Sequence, residues 1–373
     1  MKRVKNEKGV SDNRTRQGRM RGAFGGSRKL SAAILGVMLV VVLLFAVGCG
    51  GGADTGGGDA SSDGSGAEGG DKVVIKLQGI GGDPTRLGSA TIALAKGYFE
   101  EEGIEIEDVG VIDIPQHVSA LTSGTVDAVA LMTSEGLTAF DNGAEIVQVS
   151  TDITTAEDLQ HMTFIVNEDS PIQNGEDLIG TKIGTASASG GCTAGFPLEY
   201  MRQAGVKDPK SQSELLTIPE ESLVTALEAG DADVAGVHLT REQVETLYPD
   251  KRILFTDWDI LGDTGGDTGW FFRTDYAKEN PETVTKFIRA ITKANKWINE
   301  NREEAGELYA ENAISLNPDL FWIANFSNDG LIDDSHVQVW IDLFASGDSS
   351  YTLQNKDTKV ADFTTNEYNP SKQ

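Results

Sequence analysis

The chain has 373 residues, with 31 Lys and Arg against 58 Asp and Glu, and a formal charge of −27. The first 48 residues run against that trend: ten Lys and Arg face only Glu7 and Asp12, a balance of +8, so the remainder carries −35. So acidic a surface repels nucleic acid, whose binding needs a basic footprint, and it does not adhere to anionic lipid. It keeps a protein solvated. With only Cys49, Cys192 and four scattered His, neither a metal site nor a cofactor is expected.

The N-terminus reads as an export signal. A segment rich in Lys and Arg, ending at Arg28 and Lys29, leads into the uncharged stretch from Leu30 to Gly48. The ending Ala46-Val47-Gly48-Cys49 resembles a bacterial lipobox, with Ala where Leu is usual. That resemblance implies removal of the signal peptide, residues 1–48, and lipidation of Cys49 as the mature N-terminus. The other reading is a plain membrane anchor, since about 18 uncharged residues can span a bilayer. Both place the rest of the chain on the extracytoplasmic face of the cell membrane, and acylation would leave Cys192 without an intrachain disulfide partner. Residues 49–72 are a Gly-, Ser- and Asp-rich tether.

Folded structure is expected from Val73-Val74-Ile75-Lys76-Leu77, a β run ended by Gly79, Gly81 and Gly82. A helix over 87–102 follows, with Ile92, Ala93, Ala95, Tyr98 and Phe99 on its buried side and Gly103 as its cap. Ile104-Glu105-Ile106-Glu107 then alternates as a strand does. Strand, Gly-rich turn, helix and strand make a βαβ unit with a parallel sheet. The chain next states one phrase twice. Val118-Ser-Ala-Leu-Thr-Ser-Gly124-Thr-Val-Asp127 leads into an apolar run to Met132, and Val224-Thr-Ala-Leu-Glu-Ala-Gly230-Asp-Ala-Asp233 leads into another to His238. Each reads as a short helix stopped by Gly, then Asp, then a strand buried on both faces. Two such units predict two similar α/β lobes. Further strands are expected at 146–149, 163–166, 182–185, 215–218, 253–256 and 270–273. From Asn280-Pro281 a long helix carries Val284, Phe287, Ile288, Ile291, Ala294 and Ile298 as its apolar stripe.

The phrases Ile92-Ala-Leu-Ala-Lys-Gly-Tyr-Phe-Glu-Glu-Glu-Gly-Ile-Glu-Ile-Glu107 and Ala120-Leu-Thr-Ser-Gly-Thr-Val-Asp-Ala128 resemble the solute-binding proteins of nitrate, sulfonate and taurine importers and their relatives that bind thiamine precursors. Asp177-Leu-Ile-Gly-Thr-Lys-Ile-Gly184, Ala226-Leu-Glu-Ala-Gly-Asp-Ala-Asp233 and Phe272-Arg-Thr-Asp-Tyr276 continue the likeness in order, so that it spans roughly 73–373. It implies a type II periplasmic-binding-protein clamshell: an α/β lobe from 73–161 and 277–373, a second from 162–276, and a hinge of two chain crossings. It also implies a non-catalytic, monomeric receptor that captures a small polar organic or oxyanion solute in the interlobe cleft. The receptor would deliver it to an ABC permease and its ATPase. The alternative is an enzyme on the same fold, such as a pyrimidine-precursor synthase or a menaquinone-pathway enzyme. Export and the absence of a nucleophile–base pair argue against it.

In open α/β sheets ligands bind beyond the carboxyl ends of strands. That rule selects Thr133 and Ser134 after one repeat and His238 after the other. The loop Thr185-Ala-Ser-Ala-Ser-Gly-Gly-Cys-Thr-Ala194 lies between an expected strand and helix. There Ser187, Ser189, Gly190 and Thr193 offer hydroxyls, close backbone approach and helix-start amides to an anionic group. The bland reading is a capping turn in which Ser189 or Thr193 serves only the backbone. Asp83 and Arg86 end the first strand's turn, Arg86 being a candidate partner for an anion. Trp270 is a candidate aromatic wall. Glu135, Asp259 and Asp267 would instead favour a cationic solute, which leaves the sign of the ligand open.

Overall fold

The computed structural model describes residues 72–82, 84–188, 191–313, 324–347 and 349–372. The signal, the tether with Cys49, and the candidate site residues Asp83, Ser189 and Gly190 lie outside the described residues. Among the described residues no helix is long and apolar enough to cross a membrane.

β1 (Val73–Leu77) and β2 (Ile104–Asp108) pair in parallel, with Ile75 opposite Ile106. The helix between them is shorter than its apolar pattern suggests. It runs Pro84–Ala95, and Gly97, at φ 73°, separates it from a single turn at Tyr98–Glu101. β3 (Ala128–Met132) and β4 (Ile146–Thr154) come next. The second group is β5 (Thr163–Asn167), β6 (Lys182–Thr185), β7 (Glu214–Thr217), β8 (Val234–Val237) and β9 (Lys251–Thr256), in the order β7-β6-β8-β5-β9. β6 is parallel to β7 and β8, while β5 is antiparallel to β8 and β9. β10 (Thr268–Arg273) and β11 (Asn325–Phe326) return to the first group in the order β11-β4-β10-β3. The result is two α/β lobes.

β10 corrects the expected boundary. It pairs antiparallel with both β3 and β4, with Trp270 opposite Ala130 and Phe271 opposite Val129. Residues 268–276, read from sequence as second lobe, therefore begin inside the first lobe's sheet. Alternation along β10 then sends Trp270 and Phe272 into the first lobe's core and Phe271 into a second core. The helix Pro281–Glu300 closes over that first core with Val284, Phe287, Ile288 and Ile291. Its Phe287 ring meets Trp270 edge-on at 5.0 Å. The second core contains Phe164 and Phe196 together with Phe271 and Trp340, the last on the helix Asp334–Ser346, so it joins side chains of both strand groups.

The doubled phrase makes one device twice. Gly124 (φ 74°) and Gly230 (φ 78°) stop their helices in the left-handed conformation that a side chain would disfavour. Asp127 N–H then donates to the Lys76 carbonyl at 2.9 Å while its carboxylate accepts from Lys76 N–H at 2.9 Å. Asp233 does the same to Lys182, at 2.8 Å each way. The first pin ties β3 to β1, which brings the β1–β2 pair into the first lobe. The second ties β8 to β6.

One buried carboxyl holds the first lobe's layers together. Asp152 of β4 accepts from Ser89 Oγ at 2.7 Å and from Asn295 Nδ2 at 3.0 Å, linking the Pro84 and Pro281 helices to the sheet. Burial raises its pKa from 3.8 to about 6, because desolvation outweighs the hydrogen-bond donors around it. The folded state therefore holds this proton more tightly than the unfolded chain. Its stabilisation is fully present below pH 3.8 and is lost as pH rises through about 6.

Two predictions follow from these contacts. Asp127 is 7 % exposed whereas Asp233 is exposed, so water replaces the lost acceptor only at the second site. Asp127→Ala should cost about 1–3 kcal/mol and lower the melting temperature by about 3–8 °C, with Asp233→Ala well below that, in circular-dichroism melts. For Asp152→Asn, the stability relative to wild type should rise between pH 4 and pH 7, by up to about 3 kcal/mol, in urea titrations at each pH. A difference independent of pH would contradict a raised pKa.

Candidate functional site

The site is built where a strand end of each lobe becomes a helix. β3 turns directly into the helix Thr133–Asp141. Glu135 caps it by accepting from Met132 N–H at 3.1 Å, and Thr133 N–H donates to the Asp267 carbonyl at 3.0 Å. The Thr133 hydroxyl donates to Gln148 Oε1 at 3.3 Å. Ser134 is fully buried, and its Oγ has no hydrogen-bond partner among the described residues. In the second lobe the helix Gly191–Gln203 starts after the loop that follows β6. A Cβ built on Gly191 would stand 2.0 Å from Ser134 Oγ and 2.2 Å from its Cβ. The two helix starts are thus in van der Waals contact across the lobes, and only glycine permits that approach.

Other candidate residues fall into three groups. Thr193 donates its hydroxyl to the Ser187 carbonyl, so this pair closes the loop on itself as a capping turn does. Arg86, 5 % exposed, holds Glu135 in a two-pronged ion pair, Nη1 to Oε2 at 2.8 Å and Nη2 to Oε1 at 3.1 Å. Burial would raise the Glu135 pKa, but Arg86 brings it below the ordinary value, so both groups are charged. Trp270 is not a cleft wall. It is fully buried against Phe287 in the first lobe's core, because β10 lies between β3 and β4.

His238 follows β8, as expected, and two residues with no local signal in the sequence meet it. Glu220 accepts from His238 N–H at 2.9 Å and faces its Nδ1 at 3.0 Å. The His161 ring meets the His238 ring edge-on at 5.1 Å. Burial opposes a charge on His238, yet the Glu220 carboxylate and then the Cys192 sulfur lift its pKa well above the ordinary histidine value. Burial, followed by the charges of His238 and Arg86, pushes His161 well below it. His238 is therefore the charged member of the pair. Cys192, buried in the first turn of the Gly191 helix, completes the group: one ligand-type atom each from His161, Cys192 and His238 lies within 4.8 Å of the others. The sequence predicted no such cluster, because its members are spread over three separate segments.

Asp267, beside Thr133, bonds His336 Nδ1 at 2.8 Å. Burial raises its pKa to about 6 even though the His336 hydrogen bond lowers it. Asp259 accepts from Arg241 at 3.2 Å and caps its own helix through Thr256. The acids that would favour a cationic solute are therefore each engaged by a protein partner.

The family profile described as NMT1/THI5 like matches residues 87–305, more than half of the chain. A Bacillus subtilis protein named as aliphatic sulfonates-binding is 24% identical over 279 residues, covering 74% of this chain and 77% of that protein. A formylaminopyrimidine-binding protein of Halalkalibacterium halodurans is 24% identical over 244 residues, covering 61% and 66%. Among solved structures, the alkanesulfonate-binding protein of Xanthomonas axonopodis pv. citri, bound to MOPS, superposes with a TM-score of 0.60 at 18% identity. It covers 79% of this chain and 98% of that one. At that identity the likeness speaks for the fold, a type II periplasmic-binding-protein architecture of two α/β lobes. The chain belongs to the NMT1/THI5-like family, and within that fold it is a non-catalytic solute-binding receptor of the ABC-importer type.

Proposed function

We propose that this receptor is held to the extracytoplasmic face of the membrane through Cys49 and takes a small solute with an anionic or oxyanion group between its lobes. It then presents the closed form to an ABC permease. The observation that carries the reading is the meeting of Ser134 with Gly191, which brings two helix N-termini from opposite lobes to one point. Helix N-termini present unpaired amides and favour negative charge. Ser134 Oγ and Thr185 Oγ1, at the end of β6, are buried hydroxyls with no hydrogen-bond partner among the described residues. The nearby acids Glu135 and Glu220 are paired with Arg86 and His238, so they do not set a cationic preference.

The lobes would move about two passages of chain, 155–162 and 257–267, which connect the strand groups. Closure then follows the solute only through contacts stronger in the closed form. The relatives named for sulfonates and a formylaminopyrimidine give the first compounds to test.

A thermal-shift screen of nitrate, alkanesulfonates, formylaminopyrimidine, carboxylates and amines should find its hit among the anions or oxygen-rich acceptors. At a hundredfold excess over Kd the native state gains about 2.7 kcal/mol. With the hit in hand, Ser134→Ala should weaken binding by about 5- to 150-fold, the loss of one good hydrogen bond, by calorimetry. Gly191→Ala should weaken it at least as much, because the added methyl holds the helices apart. A hit confined to amines would refute the charge assignment, and unchanged affinity in both variants would move the site elsewhere. Mass spectrometry of the mature protein should show a diacyl- or triacylglyceryl group on Cys49. Retention of residues 1–48 would rule the lipid anchor out.

A further inference from the structure

We propose that His161, Cys192 and His238 form a binding site for Zn2+, with two imidazole nitrogens and one thiolate as protein ligands and the remaining coordination position open. The three ligand-type atoms lie within 4.8 Å of one another. In a tetrahedral zinc site, bonds of 2.0–2.3 Å place neighbouring ligand atoms about 3.3–3.7 Å apart. The cluster therefore needs to contract by up to about 1 Å to hold the ion.

The donor set decides the metal class. Two imidazoles and a thiolate are borderline-soft ligands, matched to Zn2+ and poorly suited to Mg2+ or Ca2+, which take oxygen. Three protein ligands with one position left open is also how zinc is held where it meets a further molecule rather than serving only the fold.

The surroundings orient the ligands as metal sites require. Glu220 holds His238 twice, at the backbone N–H and at Nδ1, which directs Nε2 away from the carboxylate. A carboxylate behind a ligating histidine fixes its ring and raises its basicity. The peptide at His161 is anchored by Asp257, whose carboxylate accepts from His161 N–H at 3.3 Å and Met162 N–H at 3.2 Å. Cys192 is in the first turn of a 13-residue helix, and its sulfur lies within 4.8 Å of a ring nitrogen of each histidine. Ion entry displaces the thiol proton of Cys192 and any proton on the ligating imidazoles to solvent, and one Zn–S and two Zn–N bonds form. No redox step is involved. Gly191, adjacent to Cys192, touches Ser134 of the other lobe, so the ion would lie near the junction of the lobes.

Co2+ titration of the intact, reduced protein tests this directly. One equivalent should bind, with a thiolate-to-cobalt charge-transfer band in the near ultraviolet and intense d–d bands of a four-coordinate site, and one equivalent of Zn2+ should bleach both. Cys192→Ser should abolish the charge-transfer band with the far-ultraviolet circular dichroism unchanged. Glu220→Gln should keep the band and weaken Co2+ binding about 10- to 100-fold. Should Cys192→Ser fail to fold, His238→Gln retains the thiol and should still weaken binding by at least the Glu220→Gln amount. Absence of a charge-transfer band in the wild-type protein at one equivalent would overturn the proposal. So would a band and affinity that survive loss of the Cys192 thiol or the His238 imidazole.

Discussion

The two aspartate pins set the position of the candidate site residues. A strand aligned by one backbone pair has a fixed register, and a slip of one residue would turn every side chain to the opposite face. Asp127 fixes β3 against β1 and Asp233 fixes β8 against β6, each through its own N–H and its carboxylate. Five residues after Asp127 the chain leaves the sheet at Met132, and four after Asp233 it leaves at Val237, with His238 next. The groups that meet between the lobes are therefore placed by two short polar contacts at the far ends of the strands, not by the cleft itself.

Much of this was legible because the signals are local. Gly before Asp before an apolar run specifies a left-handed helix stop, a strand start and a two-sided burial within ten residues, and the structure forms all three at both copies. Strand positions were legible for the same reason: Lys182–Thr185 is as read, and 215–218 is displaced by one residue to Glu214–Thr217. The lobe assignment of 268–276 was not legible. It depends on β10 pairing with strands more than a hundred residues upstream, and nothing in Trp270-Phe271-Phe272 says which sheet it joins. The same gap misplaced Trp270. Three consecutive aromatics buried on both faces offer no polar residue to mark an outward side.

Pairings over long separations were hidden for a related reason. Arg86 reads alone as a cation available to an anionic solute, yet Glu135 takes it; Glu220 reads as one more surface acid, yet it grips His238. Each partner is ordinary in its own segment, and only the fold reveals the pair. His161, Cys192 and His238 are the extreme case. Spacing rules for metal ligands detect sites built on one loop or one helix, whereas here a linker, a helix start and a strand end each contribute one residue.

The pairing of the charges has a consequence for how the lobes come together. An N-terminus carries the equivalent of roughly half a positive charge, so two brought into contact repel each other. Glu135 and Glu220 do little to relieve that repulsion, since Arg86 and His238 already neutralise them. Under the proposed reading, an anionic group seated beside both helix starts reverses the sign of the interaction with both at once, and it does so only when both are near. The open form, with one helix start in reach, gains about half as much. This difference is what a solute needs in order to shift the lobes toward closure, and it comes from backbone amides that no side-chain substitution removes. Under the proposed reading, recognition of the charge and the latch that follows it are the same interaction.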